Sequence, residues 1–224
     1  MIQLSYSALS IFKSCPRCFW LDRNKKFTRP QGIRSSFPTG VDNILKKKLG
    51  SFRGTLPPAL ASCPELQGFQ LYAGEDLNKM RNWKTNPLMM KDSKGNKIVG
   101  AFDDLLFNPT SNLYALLDYK TKGSPADQAY CEKYYQDQMD IYTRFLEIGK
   151  LTPANFGVLL YFWPVEAENL IDFVQQAFFL TPNPAHAEQI FKDAIACLEG
   201  PMPEAGLDCE YCKYGLMYPR GEAK

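Results

Sequence analysis

The sequence predicts an α/β fold, a central mixed β-sheet flanked by helices, and three patterns predict it. Residues 88–121 form apolar stretches punctuated by Asp92-Ser-Lys-Gly-Asn and Asn108–Asn112, turn-forming clusters that set out a β-meander. Residues 125–150 carry Tyr134, Met139, Tyr142, Phe145 and Leu146 as one helical face. Two further apolar runs, 156–163 and 170–180, then lead into a helix over Asn183–Glu199. In a chain of 224 residues the order α, meander, α, β, β, α predicts one domain over residues 1–224.

Taken in order, Ser5–Ser14 opens with serines suited to capping and sets Ala8, Leu9 and Phe12 on one stripe, which predicts a short helix. Pro30, Gly32, Pro38 and Gly40 predict a loop over 28–40. Val41, Ile44, Leu45 and Leu49 recur at helical spacing, so 41–49 is an amphipathic helix. Residues 50–87 show no clear period beyond a strand or helix through Phe69–Trp83 and are set apart as an insertion. Strands are expected at Leu88–Lys91, Lys97–Phe107 and Leu113–Thr121, and then a helix at Pro125–Lys150. Phe156–Trp163 and Leu170–Leu180 form a strand pair. Asn183 as N-cap, Pro184 at N1 and Gly200 bracket the next helix, and 213–224 is a tail.

Composition narrows the class. Apolar residues at 45% and charged residues at 22% exclude a disordered chain. The longest apolar run, Phe156–Val165, is about half a membrane span and contains Pro164, so no membrane helix is expected. No basic stretch precedes the first apolar residues, and a cytoplasmic protein is expected. Residues 1–53 hold eleven Lys and Arg against Asp22 and Asp42, a local +9 within a total of +2. Such a basic quarter suits a polyanion, with Arg17, Arg23, Lys46 and Lys47 as candidate phosphate contacts, and has a solvated face as its other reading.

The stretch 98–123, IVGAFDDLLFNPTSNLYALLDYKTKG, carries the chemistry. Asp118 and Lys120 are two apart and share a strand face. Folding the hairpin about Thr110 sets Asp103 across from Asp118; a slip of one residue would present Asp104 instead. Opposed carboxylates about 5 Å apart repel, and a divalent cation between them removes that cost. Oxygen ligands suit Mg²⁺ or Mn²⁺, which polarises a phosphodiester and lowers the pKa of bound water. Lys120 is then placed to orient the water or stabilise developing charge. A second D-x-K, Asp92-Ser-Lys94, lies in a turn and lacks the preceding apolar strand.

Gly100-x-x-Asp103, an apolar strand, Asp118-x-Lys120 and, on the following helix, Gln138-x-x-x-Tyr142 resemble the core of the PD-(D/E)XK nuclease superfamily in its RecB-type branch. The resemblance implies a restriction-endonuclease-like fold and a metal-dependent deoxyribonuclease, an exonuclease by its closest motifs. It implies Asp103, Asp118 and the backbone carbonyl of Tyr119 as ligands of the Mg²⁺ or Mn²⁺, with Gln138 and Tyr142 positioning DNA or Lys120. The family's first ligand follows a glycine on an early helix; Gly40-Val-Asp42 offers Asp42 at a shorter spacing, with helix capping as its other reading.

Cysteine usage adds a second candidate site. Cys15-Pro-Arg-Cys18 and Cys209-Glu-Tyr-Cys212 are two C-x₂-C pairs, the donor set of a closed tetrahedral site that selects zinc or an iron–sulfur cluster. Cys15-Pro-Arg-Cys18-Phe-Trp20 after a helix resembles the iron–sulfur members of the same branch, helicase–nuclease subunits and a CRISPR-associated exonuclease among them. That resemblance implies a 4Fe–4S cluster, and DNA, single-stranded DNA included, as substrate; the 2 + 2 arrangement of the cysteines points to Zn²⁺ as the alternative. The branch's C-x₂-C-x₅-C ending has Tyr218 at its third position here, so Cys18 supplies the fourth sulfur. Cys63, Cys131 and Cys197 are packing residues, and His186 is a surface residue. Two other functions fit the same features: a nuclease fold that binds nucleic acid without cleaving it, and a metal-stapled module docking on a helicase or CRISPR-associated protein.

Overall fold

A computed structural model of the protein describes residues 1–30, 36–168 and 170–217. Its elements are β1 (Gln3–Leu4), α1 (Tyr6–Ser14), α2 (Pro16–Lys25), α3 (Ser36–Gly50), β2 (Gln70–Leu71), α4 (Leu77–Met80), β3 (Met90–Lys91), β4 (Lys97–Ile98), β5 (Asp104–Asn108), β6 (Leu113–Thr121), α5 (Gln128–Ile148), β7 (Gly157–Ala167), β8 (Leu170–Leu180), α6 (Pro184–Glu199) and α7 (Glu210–Met217). The fold is mixed α/β. Five strands in the order β2-β5-β6-β7-β8 form a mixed sheet, with β6 and β7 parallel and every other neighbour antiparallel, and helices flank it. Packing divides the chain into two compact units, one from 1–34, 91–98 and 188–224 and the other from 35–90 and 99–187.

In the first unit Ser5 Oγ accepts the Ala8 N–H, 3.3 Å, and starts α1 as its serine predicted. A second helix, α2, follows at once with Pro16 at its first position, where the missing N–H costs nothing. Side chains of α2 then satisfy the last carbonyls around the end of α6: Trp20 Nε1 donates to Gly200 O at 3.0 Å and Asn24 Nδ2 to Leu198 O at 3.1 Å. β1 pairs in parallel with β4, and β4 adjoins β3, in a small three-stranded sheet.

In the second unit one face of the five-stranded sheet buries Leu71, Leu106, Ala115, Leu117, Val158 and Leu160 against Leu49 of α3 and against Leu60, Leu66 and Phe69. Residues 50–87 are therefore a packed layer of two 3₁₀ turns, β2 and α4 rather than a long strand or helix. This layer also supplies Arg53. Its guanidinium forms a bidentate pair with Asp104, and Tyr119 Oη donates to Asp104 Oδ2 at 2.9 Å. Asp104 is fully buried. Removing it strands a guanidinium, so Asp104→Ala is expected to cost about 3 kcal/mol or more in urea unfolding, as for other broken buried pairs.

Several elements differ from expectation for identifiable reasons. The expected strand 97–107 is two strands, because β4 belongs to the small sheet and β5 to the large one. The chain between them passes Gly100, where an added Cβ would lie 2.7 Å from Tyr142 Cε1. Helix α3 begins at Ser36, inside the expected loop; Pro38 falls in its first turn, where no intrahelical N–H is needed. The inward stripe of α3 is also rotated. Ile44 is 62% exposed, while Asp42, Leu45, Lys46 and Leu49 are partly or fully covered. On α5, Met139, Tyr142, Phe145 and Leu146 are buried as expected, but Tyr134 is 50% exposed. The expected tail contributes to a last helix, α7. Tyr218 and the rest of that segment lie outside the described residues.

Candidate functional site

The hairpin β5–β6 has the register that its turn predicts: Asp104 pairs with Leu117 and Leu105 with Leu116. Carried one residue beyond β5, this sets Asp103 opposite Asp118. Asp103 Oδ2 accepts the Tyr119 backbone N–H at 3.1 Å. Asp104 instead engages Arg53 and Tyr119 on the apolar face described above, so alternation along the strand separates the two adjacent acids.

Three side chains close a ring at the end of β6. Gln138 Nε2 donates to Asp118 Oδ1 at 3.0 Å, Lys120 Nζ donates to Gln138 Oε1 at 3.1 Å, and Lys120 Nζ lies 2.5 Å from Asp118 Oδ2. The last contact is a close ion pair, so both oxygens of the buried Asp118 carboxylate are engaged, Oδ1 by Gln138 and Oδ2 by Lys120. Gln138 is placed by α5, whose start Asp127 caps by accepting the Tyr130 N–H at 2.7 Å. Four residues on, Tyr142 packs edge-on to Phe102, at a centroid distance of 6.2 Å, and against Gly100. The glycine of G-x-x-D and the tyrosine of Q-x-x-x-Y thus meet, and a side chain at position 100 would push the tyrosine away.

Helix α3 completes the cluster through a residue first read as a phosphate contact. Lys46 Nζ lies 2.8 Å from Asp42 and 2.7 Å from Asp103. Burial opposes its charge, but these two bonds outweigh burial and hold Lys46 protonated above the usual lysine range. Asp42, Asp103 and Asp118 carry three negative charges against Lys46 and Lys120. Among the described residues their oxygens do not form a single tight ligand group; the Lys46 ammonium bridges Asp42 and Asp103. Carboxylate oxygens are hard donors of the kind that Mg²⁺ and Mn²⁺ take, and here lysine ammonium groups lie against all three carboxylates.

Burial pushes the Asp118 carboxyl up to about 6, with Asp103 adding to the rise and Lys120 and Lys46 opposing it. A carboxyl raised in the folded state favours folding below its unfolded value near 4, and that contribution is lost as pH rises through about 6. Metal-free protein is therefore expected to lose stability between pH 4 and 6 relative to Asp118→Asn, which keeps the shape and removes the charge. Urea unfolding of both across that range checks this; parallel curves would exclude it.

The other cluster lies within the first unit. Cys15, Cys18 and Cys209 are buried, Cys212 is half-buried, and all four sulfurs lie within 4.8 Å of one another. Sγ separations are 3.6 Å for Cys15–Cys212 and Cys18–Cys209 and 3.8 Å for Cys18–Cys212. Burial opposes ionisation of Cys15, but the Cys18 backbone N–H and the neighbouring thiols donate to it and lower its pKa to about 6. Burial raises Cys18 to about 12. Arg29, 3.6 Å from Cys209 Sγ and stacked 4.7 Å from the Tyr211 ring centroid, adds positive charge. These four thiols form a group compatible with a metal site.

Of the remaining expected packing cysteines, Cys131 is fully buried, while Cys63 and Cys197 are partly so. His186 is partly exposed, yet its Nδ1 lies 2.8 Å from Asp140 Oδ2. Asp140 Oδ1 accepts the Asn183 N–H at 2.8 Å, so this pair, with nearby Asp137, ties the start of α6 to α5. The second D-x-K is a turn, with Asp92 Oδ1 accepting from the N–H of Lys94 and Asn96, and with Lys94 paired to Glu199 at the surface.

Lys46 and Arg53 escaped sequence reading as internal partners. The only local signal is the i, i+4 spacing of Asp42 and Lys46; nothing near Arg53 marks it for Asp104. Among the described residues, no helix is long and apolar enough to cross a membrane.

No family model and no curated protein matches this chain. Among solved structures, the crystal structure of SSO0001 is similar at 17% identity and a TM-score of 0.43, covering 97% of this chain and 85% of that one.

Proposed function

We propose that the protein is a metal-dependent deoxyribonuclease of the RecB-like PD-(D/E)XK type, acting on DNA as an exonuclease. The ring of Asp118, Lys120 and Gln138 beside Asp103 carries this reading. It joins three separate sequence motifs at one sheet end around a buried carboxylate. A Mg²⁺ or Mn²⁺ held by Asp103, Asp118, the Tyr119 carbonyl and Asp42 would supply Lewis acidity and a lowered water pKa. Gln138 fixes Asp118 and holds Lys120 in line. Lys120 carries the positive charge that meets charge developing at phosphorus. Tyr142, seated on Gly100, orients α5 so that Gln138 stays in reach.

The four cysteines are proposed to hold one structural metal centre. Resemblance to iron–sulfur nucleases supports a 4Fe–4S cluster. The sulfur spacing supports Zn²⁺, since a Zn–S bond of about 2.3 Å makes a tetrahedral edge of about 3.8 Å. Iron and zinc analysis with a visible spectrum separates the two. Seven cysteines, four grouped as metal donors and three dispersed, fit a reducing, cytoplasmic compartment better than a disulfide framework.

One observation favours a second reading, a nuclease fold that binds DNA without cutting it or docks on a helicase or CRISPR-associated protein: Lys46 bridges Asp42 and Asp103, where a cation is needed. Release of nucleotides from end-labelled single- and double-stranded DNA in Mn²⁺, against a chelated control, decides between them. Metal-dependent release supports the nuclease. Salt-sensitive binding without release supports the second reading.

A further inference from the structure

We infer, resting on the nucleic-acid reading of the site, that Tyr134 with Tyr130 and Lys122 forms a stacking platform that holds an unpaired nucleotide beside the carboxylates. The first turns of α5 set Tyr130 and Tyr134 four residues apart, with ring centroids 4.6 Å from each other and planes inclined by 44°. Lys122, exposed just after β6, lies with Nζ 4.0 Å from the Tyr130 centroid, and Lys133 Nζ lies 5.3 Å from that of Tyr134. The surface is continuous with the site: Tyr135, 6.2 Å from Tyr130, has its centroid 4.8 Å from Lys120 Nζ.

Half of Tyr134 is open to solvent, although its helical neighbours Cys131 and Gln138 are buried. Rings interleaved with ammonium groups match the alternation of base and phosphate in a single strand, where sequence-tolerant stacking carries binding. A duplex hides its base faces in its own stack and offers this surface only phosphates. The carboxylates on the same stretch are held along the helix, Asp127 by the Tyr130 N–H and Glu132 by Gln128 Nε2 at 2.9 Å, while Lys122 and Lys133 stand beside the rings for the phosphates. The platform selects the unpaired end, and Lys120 lies at its inner edge.

The test measures anisotropy of labelled oligothymidine and of a hairpin duplex without divalent metal, for the wild type, Tyr134→Ala and Tyr134→Phe. Tyr134 is exposed enough for both variants to fold. The expected result is a roughly tenfold weaker Kd of Tyr134→Ala for the single strand, the size of one lost base stack, with duplex binding within about twofold and Tyr134→Phe like the wild type. An abasic strand should bind the wild type as weakly as oligothymidine binds Tyr134→Ala. Equal single-strand affinity of wild type and Tyr134→Ala, equal losses for both DNA forms, or no DNA binding by the wild type overturns the platform. Cleavage in Mn²⁺ is scored separately. Unchanged binding by Tyr134→Ala with intact cleavage removes the platform alone, and ring-dependent binding without cleavage removes the nuclease alone.

Discussion

Lys120→Ala is expected to lower Mn²⁺-dependent DNA cleavage by about a thousandfold, the upper range for losing one preorganised electrostatic group, while DNA affinity changes by less than about threefold. Lys120 Nζ is held by Gln138 Oε1 and lies against Asp118, so its position is set before substrate arrives. A charge aimed at the transition state affects rate rather than ground-state binding, so kcat should fall and KM stay nearly constant. Affinity is expected to rest instead on base stacking and on phosphate contacts spread over many cations, the latter falling with salt. Asp118→Ala should abolish metal binding along with cleavage, since it removes the most buried carboxylate of the cluster. Asp92→Ala should do neither, because that carboxylate only closes a turn. A Lys120→Ala enzyme that cuts at the wild-type rate, or a wild type without metal-dependent cleavage, would defeat the assignment.

Cys18→Ser is expected to release the metal and unfold the unit that the cysteines hold. Apparent binding free energies of structural zinc are about 10–16 kcal/mol, as large as the whole stability of a typical domain, about 5–15 kcal/mol. The four cysteines join segments 191 residues apart, which also meet through the α2 side chains on the carbonyls of Leu198 and Gly200, Arg17 on the Pro203 carbonyl and Arg29 against the Tyr211 ring. Thermal unfolding should therefore drop by more than about 10 °C, given a few degrees per kcal/mol. The iron or zinc count should fall to zero. Cys63→Ser, outside the cluster, should keep both. A brown protein with visible absorption identifies the cluster, and a colourless one with one zinc per chain identifies the ion. Chelation that leaves the melting temperature unchanged would refute a structural metal.

The hairpin register was legible in the sequence because a short turn and a period of two decide it locally. Asn108 Oδ1 accepts the N–H of Thr110 and Ser111, and Asn112 takes φ 55°, a left-handed conformation that asparagine tolerates. Once the turn is set, the positions of Asp103, Asp104 and Asp118 follow by counting. The start of α5 and the two C-x₂-C pairs were legible for the same reason: cap, stripe and spacing are all near neighbours in the chain. So were Gln138 and Tyr142, one turn apart on that helix.

Contacts between distant segments were not legible. Lys46 reads as one more cation of a basic quarter until folding brings Asp103 to it, and Arg53 until Asp104 is buried beneath it. The same long-range packing rotates α3 so that Ile44 faces solvent while the charged Lys46 is drawn in, because two carboxylates compensate its desolvation. It also splits residues 97–107 between two sheets, a division that alternation within the run cannot reveal. By itself the sequence determined which side chains share a strand or helix face, since backbone geometry repeats every few residues. Only the tertiary structure decided which faces meet and which charges neutralise each other, since those energies depend on burial and on neighbours far away in the chain.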